Sequence, residues 1–174
     1  MVISRLDSGF TSFEDNVLHF YNPKNSSVEN FVINAIEFSS SPQHGDLPII
    51  SLRINDNCEI FYNGEGGLTP YIGKFCGKYD SETCQRVKEY LKLFDFLDMP
   101  EELGLGPAGS QHHYFKISYN NDKEMEIYDG GSHSIKLYDL VRYLLNIHKF
   151  IELYPCDSVD FEVSTRKKLM QKDY

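Results

Sequence analysis

The order of apolar and polar positions predicts several short β-strands in the first third of the chain. Residues 17–21 are predicted to form a short strand that stops at Asn22-Pro23. Residues 31–38 alternate apolar and polar positions, and a period of two places the apolar side chains on one face of a strand. Two further runs, 49–54 and 58–62, flank the sequence Asn-Asp-Asn at 55–57. Because Asn and Asp tolerate a positive φ, this arrangement predicts a β-hairpin.

Another strand is predicted at residues 71–79, after a glycine-rich break at residues 63–67. Its sequence, YIGKFCGKY, places Tyr, Gly, Phe, Gly and Tyr at every second position, so these five residues share one face. Since glycine has no side chain, we expect another element to approach this face closely at Gly73 and Gly77.

Two amphipathic helices are predicted from apolar residues that recur with a period of 3.6. The first spans residues 81–97, with Asp80 or Ser81 as its N-terminal cap. Its apolar stripe consists of Val87, Tyr90, Leu91, Phe94 and Leu97. The second spans residues 138–154 and ends at Pro155, because proline cannot continue a helix.

A second hairpin is predicted between the helices, with strands at residues 114–119 and 124–128. Short strands are also predicted at residues 133–136 and 159–163. We therefore expect an α+β fold in which one antiparallel β-sheet carries both amphipathic helices on one face. The likeness of the two hairpins leaves open a fold of two similar hairpin-strand-helix halves.

The chain is expected to form a single α+β domain over residues 16–164. A length of 174 residues suits one domain, and 41% apolar residues suffice for a core without disulfide or metal staples. A polar N-terminal arm is expected at residues 1–15, and a basic C-terminal tail at residues 165–174. Folding of the tail onto the body and disorder of the tail are both open.

The charge is divided unevenly along the chain. Residues 1–165 carry a formal charge of −12, whereas the last nine residues carry +3. An acidic body repels phosphate backbones, so we expect no nucleic-acid partner and favour a basic protein partner.

No apolar run is long enough to cross a bilayer, and the first residues lack a signal-peptide pattern. We therefore expect a cytoplasmic protein without a membrane partner.

The cysteines show no regular spacing. They are Cys58, Cys76, Cys84 and Cys156. In a cytoplasmic protein, four irregularly spaced cysteines are expected to be reduced thiols.

Residues 31–154 resemble an uncharacterised family of small bacterial domains of unknown function. In that family a Cys-x-Gly-x-Cys-Pro segment precedes the first hairpin. Here Gly45 and Pro48 match the segment, whereas Gln43 and Leu47 replace its cysteines. The resemblance implies the fold but no activity, and the loss of both cysteines removes any thiol or disulfide role for this segment.

Candidate catalytic chemistry centres on the adjacent His112 and His113. An imidazole can act as a base or as a metal ligand, but neighbours on a strand point to opposite faces. We therefore expect structural or surface histidines, no metal and no cofactor.

Cys84, in the first turn of the predicted helix, is a candidate nucleophile, although free cysteines mostly serve as small core residues. The Gly-x-Gly-x-x-Gly sequence at 104–109 precedes a strand rather than a helix, and it is interpreted as a loop.

With no catalytic motif, the sequence predicts a non-catalytic protein-binding module. Its most concrete form is an acidic immunity-type inhibitor that neutralises a basic toxin or effector enzyme. The candidate contacts are acids that follow the first helix and tyrosines near strand ends: Asp95, Asp98, Glu101, Glu102, Tyr62, Tyr71, Tyr119 and Tyr128. One open alternative is a small metal- or histidine-dependent hydrolase that uses the His112/His113 region. The chain is expected to be a monomer, or a homodimer paired through exposed strand edges.

Overall fold

The computed structural model describes residues 3–6, 9–14, 17–20, 32–42, 46–92, 96, 99–131, 135–156 and 163–172. Near the N-terminus, three strands form a small antiparallel sheet. They are β1 (Ile3–Leu6), β2 (Gly9–Glu14) and β3 (Val17–Phe20). The third confirms the strand predicted at 17–21. The first two occupy the segment 1–15 that was expected to be an irregular arm.

A sheet of eight strands forms the centre of the molecule. Its strands are β4 (Ile33–Ser40), β5 (Ile49–Asn55), β6 (Glu59–Gly66), β7 (Gly73–Lys78), β8 (Glu102–Leu103), β9 (His113–Tyr119), β10 (Lys123–Asp129) and β11 (Tyr154–Pro155). Their order across the sheet is β11-β7-β6-β5-β4-β9-β10-β8. Every neighbouring pair is antiparallel except β8 and β10, which are parallel. The helices are α1 (Ser81–Lys92), α2 (Ile135–Leu145) and α3 (Ser164–Lys172). The α+β class predicted from the sequence is confirmed.

Both predicted hairpins are present. In the first turn the residue with a positive φ is Cys58, at 58°, rather than Asn or Asp. β5 and β6 pair around the turn, where the Cys58 amide donates to the Asn55 carbonyl at 2.9 Å. In the turn between β9 and β10, Asn120 and Asn121 adopt φ values of 48° and 70°. Asparagine tolerates this left-handed region better than most residues, so the local sequence is sufficient to specify the turn.

The break predicted at residues 63–67 begins later than expected. β6 continues through Gly66 because it pairs with β5 on one side and β7 on the other, where Gly64 faces Gly73. Glycine is common in breaks, but two neighbouring strands provide enough backbone hydrogen bonds to keep this segment extended.

The helices α1 and α2 pack on the same face of the large sheet, as predicted. Val87, Tyr90 and Leu91 of α1 join a single core with Leu140 and Leu144 of α2. The sheet contributes side chains at alternate positions to this core: Ile36, Phe38, Leu52, Ile54, Ile60, Tyr62, Phe115, Ile117 and Ile127. Burial of so much apolar surface on one face fixes which side of each strand points outward.

The N-terminal cap of α1 is one of the two residues predicted, whereas the ends of both helices differ from the prediction. Asp80 caps α1, because its Oδ1 accepts from the Thr83 amide at 2.9 Å, and hydrogen bonds from Thr83 lower the pKa of Asp80. α1 ends at Lys92, and the predicted stripe residues Phe94 and Leu97 lie outside the described residues. α2 begins at Ile135, so residues 135 and 136 are helical rather than part of a strand.

The second half of the chain does not repeat the first in the described residues. β7 follows the first hairpin, but the strand beside β10 is β8, which precedes the second hairpin in the chain. α2 is also shorter than predicted, because Asn146 separates it from a 3₁₀ turn at Ile147–Lys149. Residues 159–162 of the predicted edge strand at 159–163 lie outside the described residues.

The basic tail folds back as the helix α3 on the face of the sheet opposite α1 and α2. The carboxylate of Glu37 caps its first residue, accepting from the Ser164 amide at 2.9 Å and from the Ser164 hydroxyl at 2.6 Å. Thr165 shares a hydrogen bond with Ser39 at 2.8 Å. Leu169 is fully buried in a small second core. A helix with these contacts is an integral part of the fold rather than a loose end.

Two disulfides overturn the expectation of reduced thiols. Cys58 is bonded to Cys84, and Cys76 is bonded to Cys156. The first links the β5–β6 hairpin to α1, and the second links β7 to the end of β11. The irregular spacing in the sequence misled the prediction, because partners that are 26 and 80 residues apart come together only through the fold.

Candidate functional site

Acidic and tyrosine side chains of β9 and β10 project from the face of the sheet that carries α3. Phe115 and Ile127 are fully buried beneath α1 and α2. Side chains on a strand alternate between faces, so their neighbours Tyr114, Glu126 and Tyr128 point to the opposite side. The hydrophobic pattern of this hairpin therefore also sets the direction of its polar groups.

These side chains line a cavity of about 430 Å³ beside the C-terminal end of α3. We call it the acidic cleft, and its lining residues are Glu101, Glu102, Tyr114, Glu124, Met125, Glu126, Tyr128 and Lys172. The parallel pairing of β8 with β10 places Glu102 opposite Tyr128. Residues that are distant in the sequence thereby form one strongly negative surface.

Two lysines of α3 lie against the acidic cleft. Lys172 Nζ sits 5.2 Å from the centre of the Tyr128 ring and also bonds to the carboxylate of Glu102. Lys168 pairs with the carboxylate of Glu126. An ammonium group over an aromatic face and beside a carboxylate is a favourable combination, and the hydrogen bond to Glu102 raises the pKa of Lys172.

The tyrosines of the acidic cleft are held in place by their hydroxyl groups. Tyr114 donates to Glu126 Oε2 at 2.8 Å, and burial together with this carboxylate raises the pKa of Tyr114. The Tyr128 hydroxyl lies 3.0 Å from His112 Nδ1. Burial alone would raise the pKa of Glu126, but the hydrogen bonds from Lys168 and Tyr114 lower it. Glu126 is thus kept ionised by its neighbours.

The predicted acidic contacts are only partly accounted for. Glu101 and Glu102 are exposed and lie in the acidic cleft. Asp95 and Asp98 lie outside the described residues.

Of the four predicted tyrosine contacts, the structure contradicts Tyr62, which lies in the main core, and the other three stay predictions. Tyr62 is fully buried, and its hydroxyl lies 2.6 Å from that of Thr69. Tyr71 and Tyr119 are half-buried and pack against the main core. Tyr128 is buried, although it lines the acidic cleft. A period-two pattern cannot distinguish the core face from the outer face when both carry tyrosine.

Sequence reasoning missed Tyr114, Glu124 and Glu126 in this site, and it missed the lysines Lys168 and Lys172 that contact it. One signal was available. In the second hairpin, charged and aromatic residues alternate with apolar ones, and the tail provides the only cluster of positive charge in an acidic chain. Together these features indicate an acidic strand face and a basic segment that complements it.

The two adjacent histidines point to opposite faces, as predicted. His112 contacts Tyr128 on the face of α3, whereas His113 is 1% exposed and stacks on Phe38 with ring centres 5.6 Å apart. The Gln111 amide nitrogen donates to the Ser41 and Pro48 carbonyls at 2.9 Å. Its Oε1 therefore faces His113 Nε2 at 3.3 Å.

The other ring nitrogen of His113, Nδ1, lies 3.0 Å from Asp129 Oδ2. Both ring nitrogens of the buried His113 therefore face neighbouring side chains of the protein, which does not favour a role in proton transfer to a substrate. Cys84 is bonded to Cys58 and is not the free thiol that a nucleophile requires.

Within the described part of the chain, no three His, Cys, Asp or Glu side chains are grouped closely enough to hold a metal ion. No helix in the described part is long and apolar enough to cross a membrane.

The fold and the site define an α+β domain with an acidic cleft on one face of its sheet. The chain belongs to the family of the domain of unknown function DUF6438, whose model matches residues 34–148. This confirms the resemblance to an uncharacterised domain family. The description of the family names no activity, ligand or partner. No curated protein and no solved structure matches the chain.

Proposed function

We propose that this protein is a binding module whose acidic cleft receives the basic side chains of another protein. In its most specific form, the protein is an immunity-type inhibitor that neutralises a basic toxin or effector enzyme. The observation that carries the proposal is Lys172, whose ammonium group lies over the Tyr128 ring and bonds to Glu102. The acidic cleft already holds a lysine side chain of its own chain, and a lysine or arginine of a partner meets the same chemistry.

The acidic cleft has negative charge left over for a partner. The two lysines of α3 engage Glu102 and Glu126. Glu101 and Glu124 are both exposed, and the ion pair of Glu124 joins it to Lys116 on the neighbouring strand, at 2.9 Å. Carboxylates at the rim of an interface steer a basic partner and accelerate association at low salt.

The proposal includes a compartment in which thiols oxidise. Disulfides persist in oxidising compartments and are rare in the cytoplasm, and this fold contains Cys58–Cys84 and Cys76–Cys156. We therefore favour such a compartment over the cytoplasm that the sequence suggested. The hydrolase alternative gains no support from the geometry, because both ring nitrogens of His113 are engaged.

The experiment is a capture assay with matched charge reversals. The tagged protein serves as bait in an extract of its source cells at low and at high salt, and captured proteins are identified and quantified by mass spectrometry. The test variant is Glu101→Lys with Glu124→Lys. We expect wild type to retain one basic protein in a salt-sensitive manner and the test variant to lose it.

The control is Glu82→Lys with Glu89→Lys on α1. It changes the net charge by the same amount and breaks one surface ion pair, Glu89–Lys92, as the test variant breaks Glu124–Lys116. We expect the control to retain the basic protein. If both variants lose the basic protein equally, net charge alone explains the binding. If both retain it equally, the acidic cleft is not part of the interface.

A further inference from the structure

A second cavity, of about 590 Å³, lies on the other side of the large sheet, beside α2. One wall is a single face of α2 and the 3₁₀ turn that follows it, since Tyr138, Arg142, Leu145 and Lys149 recur at helical spacing and all line the cavity. We call this cavity the helix cleft. Its volume lies within the range of about 300–1,000 Å³ that is usual for small-molecule sites.

The opposite wall of the helix cleft is built from two loops that are fixed to each other. The Leu68 amide donates to the Asp46 carbonyl at 2.9 Å. Gly67 adopts a φ of +71°, and a Cβ at this position would lie 2.0 Å from the Leu47 carbonyl oxygen. The glycine therefore permits a close backbone approach that any side chain would prevent. The hydrogen bond and the close backbone approach fix the two loops relative to each other, so this wall has a defined shape.

The floor of the helix cleft is polar but already satisfied. His113 lies there between Asp129 and Gln111, and the Gln111 amide nitrogen donates to the Ser41 and Pro48 carbonyls. These groups hold the floor rigid and leave recognition of a ligand to the walls.

The walls present apolar surface to solvent. Leu68 is 71% exposed, Tyr138 is 49% exposed and Leu47 is 45% exposed, and all three line the helix cleft. Scattered exposed leucines are normal, but several around one concave site indicate that an apolar group binds there.

Positive charge accompanies this apolar surface, although the chain as a whole carries −9. Arg142 and Lys149 line the helix cleft, and in the described ranges neither side chain pairs with a carboxylate. The carboxylate of Asp46 also lines the helix cleft. Asp129 lies beneath the floor and is engaged by His113. The exposed walls that a ligand meets thus carry two cations against one carboxylate, an excess of about one positive charge that complements a monoanion.

We propose that the helix cleft binds a small carboxylate with an apolar body. The carboxylate pairs with Arg142 and Lys149, and the apolar body packs against Leu47, Leu68 and Tyr138. This site lies on the opposite side of the sheet from the acidic cleft, so it is independent of the proposed function and can fail or succeed separately.

The experiment uses octanoate as the probe, with octylamine and acetate as matched comparisons. Octylamine keeps the apolar body and reverses the charge, whereas acetate keeps the charge and lacks the body. Binding is followed by chemical-shift changes of backbone amides in the full, oxidised chain. We expect saturable one-to-one binding of octanoate with shifts confined to the helix cleft, and binding of each comparison weaker by about tenfold or more.

The test variant is Arg142→Gln with Lys149→Gln, which we expect to weaken octanoate binding by about tenfold or more. Both side chains are exposed, so the fold tolerates the change. The control is Lys88→Gln with Lys123→Gln, which removes the same charge from other elements and should leave binding unchanged. Equal binding by octylamine, equal binding by the test variant, shifts outside the helix cleft or no shifts at all would each overturn the proposal.

Discussion

At the scale of single residues, Gly64 shows how a position without a side chain shapes this fold. A Cβ at Gly64 would lie 1.8 Å from the Tyr71 carbonyl oxygen and 3.2 Å from the Tyr62 ring. β6 passes beneath the segment that enters β7, and the contact is backbone against backbone. Backbone cannot move aside as a flexible side chain can, so this approach requires glycine.

We expect Gly64→Ala to destabilise the protein by about 1–3 kcal/mol, because the added methyl group forces the Tyr71 carbonyl away from its position. Gly66→Ala in the same strand provides the control. Its Cβ would meet only the Ile49 Cδ1 atom, at 3.4 Å, and we expect a change within about 0.5 kcal/mol. Urea denaturation of both variants measures the difference. Similar midpoints for the two would contradict the close approach.

Glu126 predicts a dependence of stability on pH. Burial opposes its ionisation, but hydrogen bonds from Lys168 and Tyr114 lower its pKa below the ordinary value of 4.5. A depressed carboxyl pKa contributes stability that is present above the unfolded pKa and is lost as the pH falls through the folded pKa. We therefore expect Glu126→Gln to destabilise the protein at neutral pH, with the difference from wild type shrinking below pH 4.5.

Thermal denaturation of wild type and Glu126→Gln from neutral to acidic pH measures this difference. Lys168→Gln removes the other side of the ion pair and should reproduce the same trend. A difference that stays constant with pH would show that the ionised form of Glu126 is not what stabilises α3.

At the scale of elements, the second core shows that α3 is part of the fold. Leu169 is fully buried against Tyr114 and Tyr128, whereas the adjacent Met170 is 40% exposed. We expect Leu169→Ala to cost about 2–5 kcal/mol, the usual range for a buried large-to-small substitution. Met170→Ala should lie within about 0.5 kcal/mol of wild type. Chemical denaturation measures both, and an equal cost would indicate that α3 does not dock through Leu169.

The elements that the sequence predicted correctly are those whose signals are local. Each hairpin has a turn of Asn and Asp residues between alternating runs, and α1 has a cap and an apolar stripe within one segment. β8 has only two residues, and it is a strand because β10 lies beside it. α3 has a weak apolar pattern of its own, and the opposite face of the sheet stabilises it. Elements that depend on a distant partner leave no local pattern to detect.

In the candidate site, too, residues with a local sequence signal were predicted, whereas residues that join through distant parts of the chain were missed. Glu101 and Glu102 were predicted because a run of acids is visible in one segment. Glu124 and Glu126 join them only through the pairing of β8 with β10. Lys172 reaches the site only because α3 docks on the sheet. The distribution of charge along the sequence predicted an acidic body and a basic tail, but it could not predict which acidic residues the tail contacts.

At the scale of the whole molecule, the two disulfides tie together segments that are distant in the chain. Cys76–Cys156 spans a sequence separation of 80 residues, and Cys58–Cys84 spans 26. A cross-link stabilises a protein mainly by restricting the unfolded chain, by about 4.5 kcal/mol for the longer loop and about 3.5 kcal/mol for the shorter one in the entropic model. We therefore expect the double substitution Cys76→Ser/Cys156→Ser to destabilise the protein at least as much as Cys58→Ser/Cys84→Ser.

Both bonds are checked by intact-mass spectrometry, in which full reduction of the purified protein raises the mass by about 4 Da. Peptide mapping without reductant then assigns the pairs, and urea denaturation of the two double variants compares their stabilities. Pairing of Cys58 with Cys84 and of Cys76 with Cys156, together with a large fall in stability on reduction, supports a protein that folds under oxidising conditions. Four free thiols in protein purified without reductant would contradict both the bonds and the oxidising compartment that we infer from them.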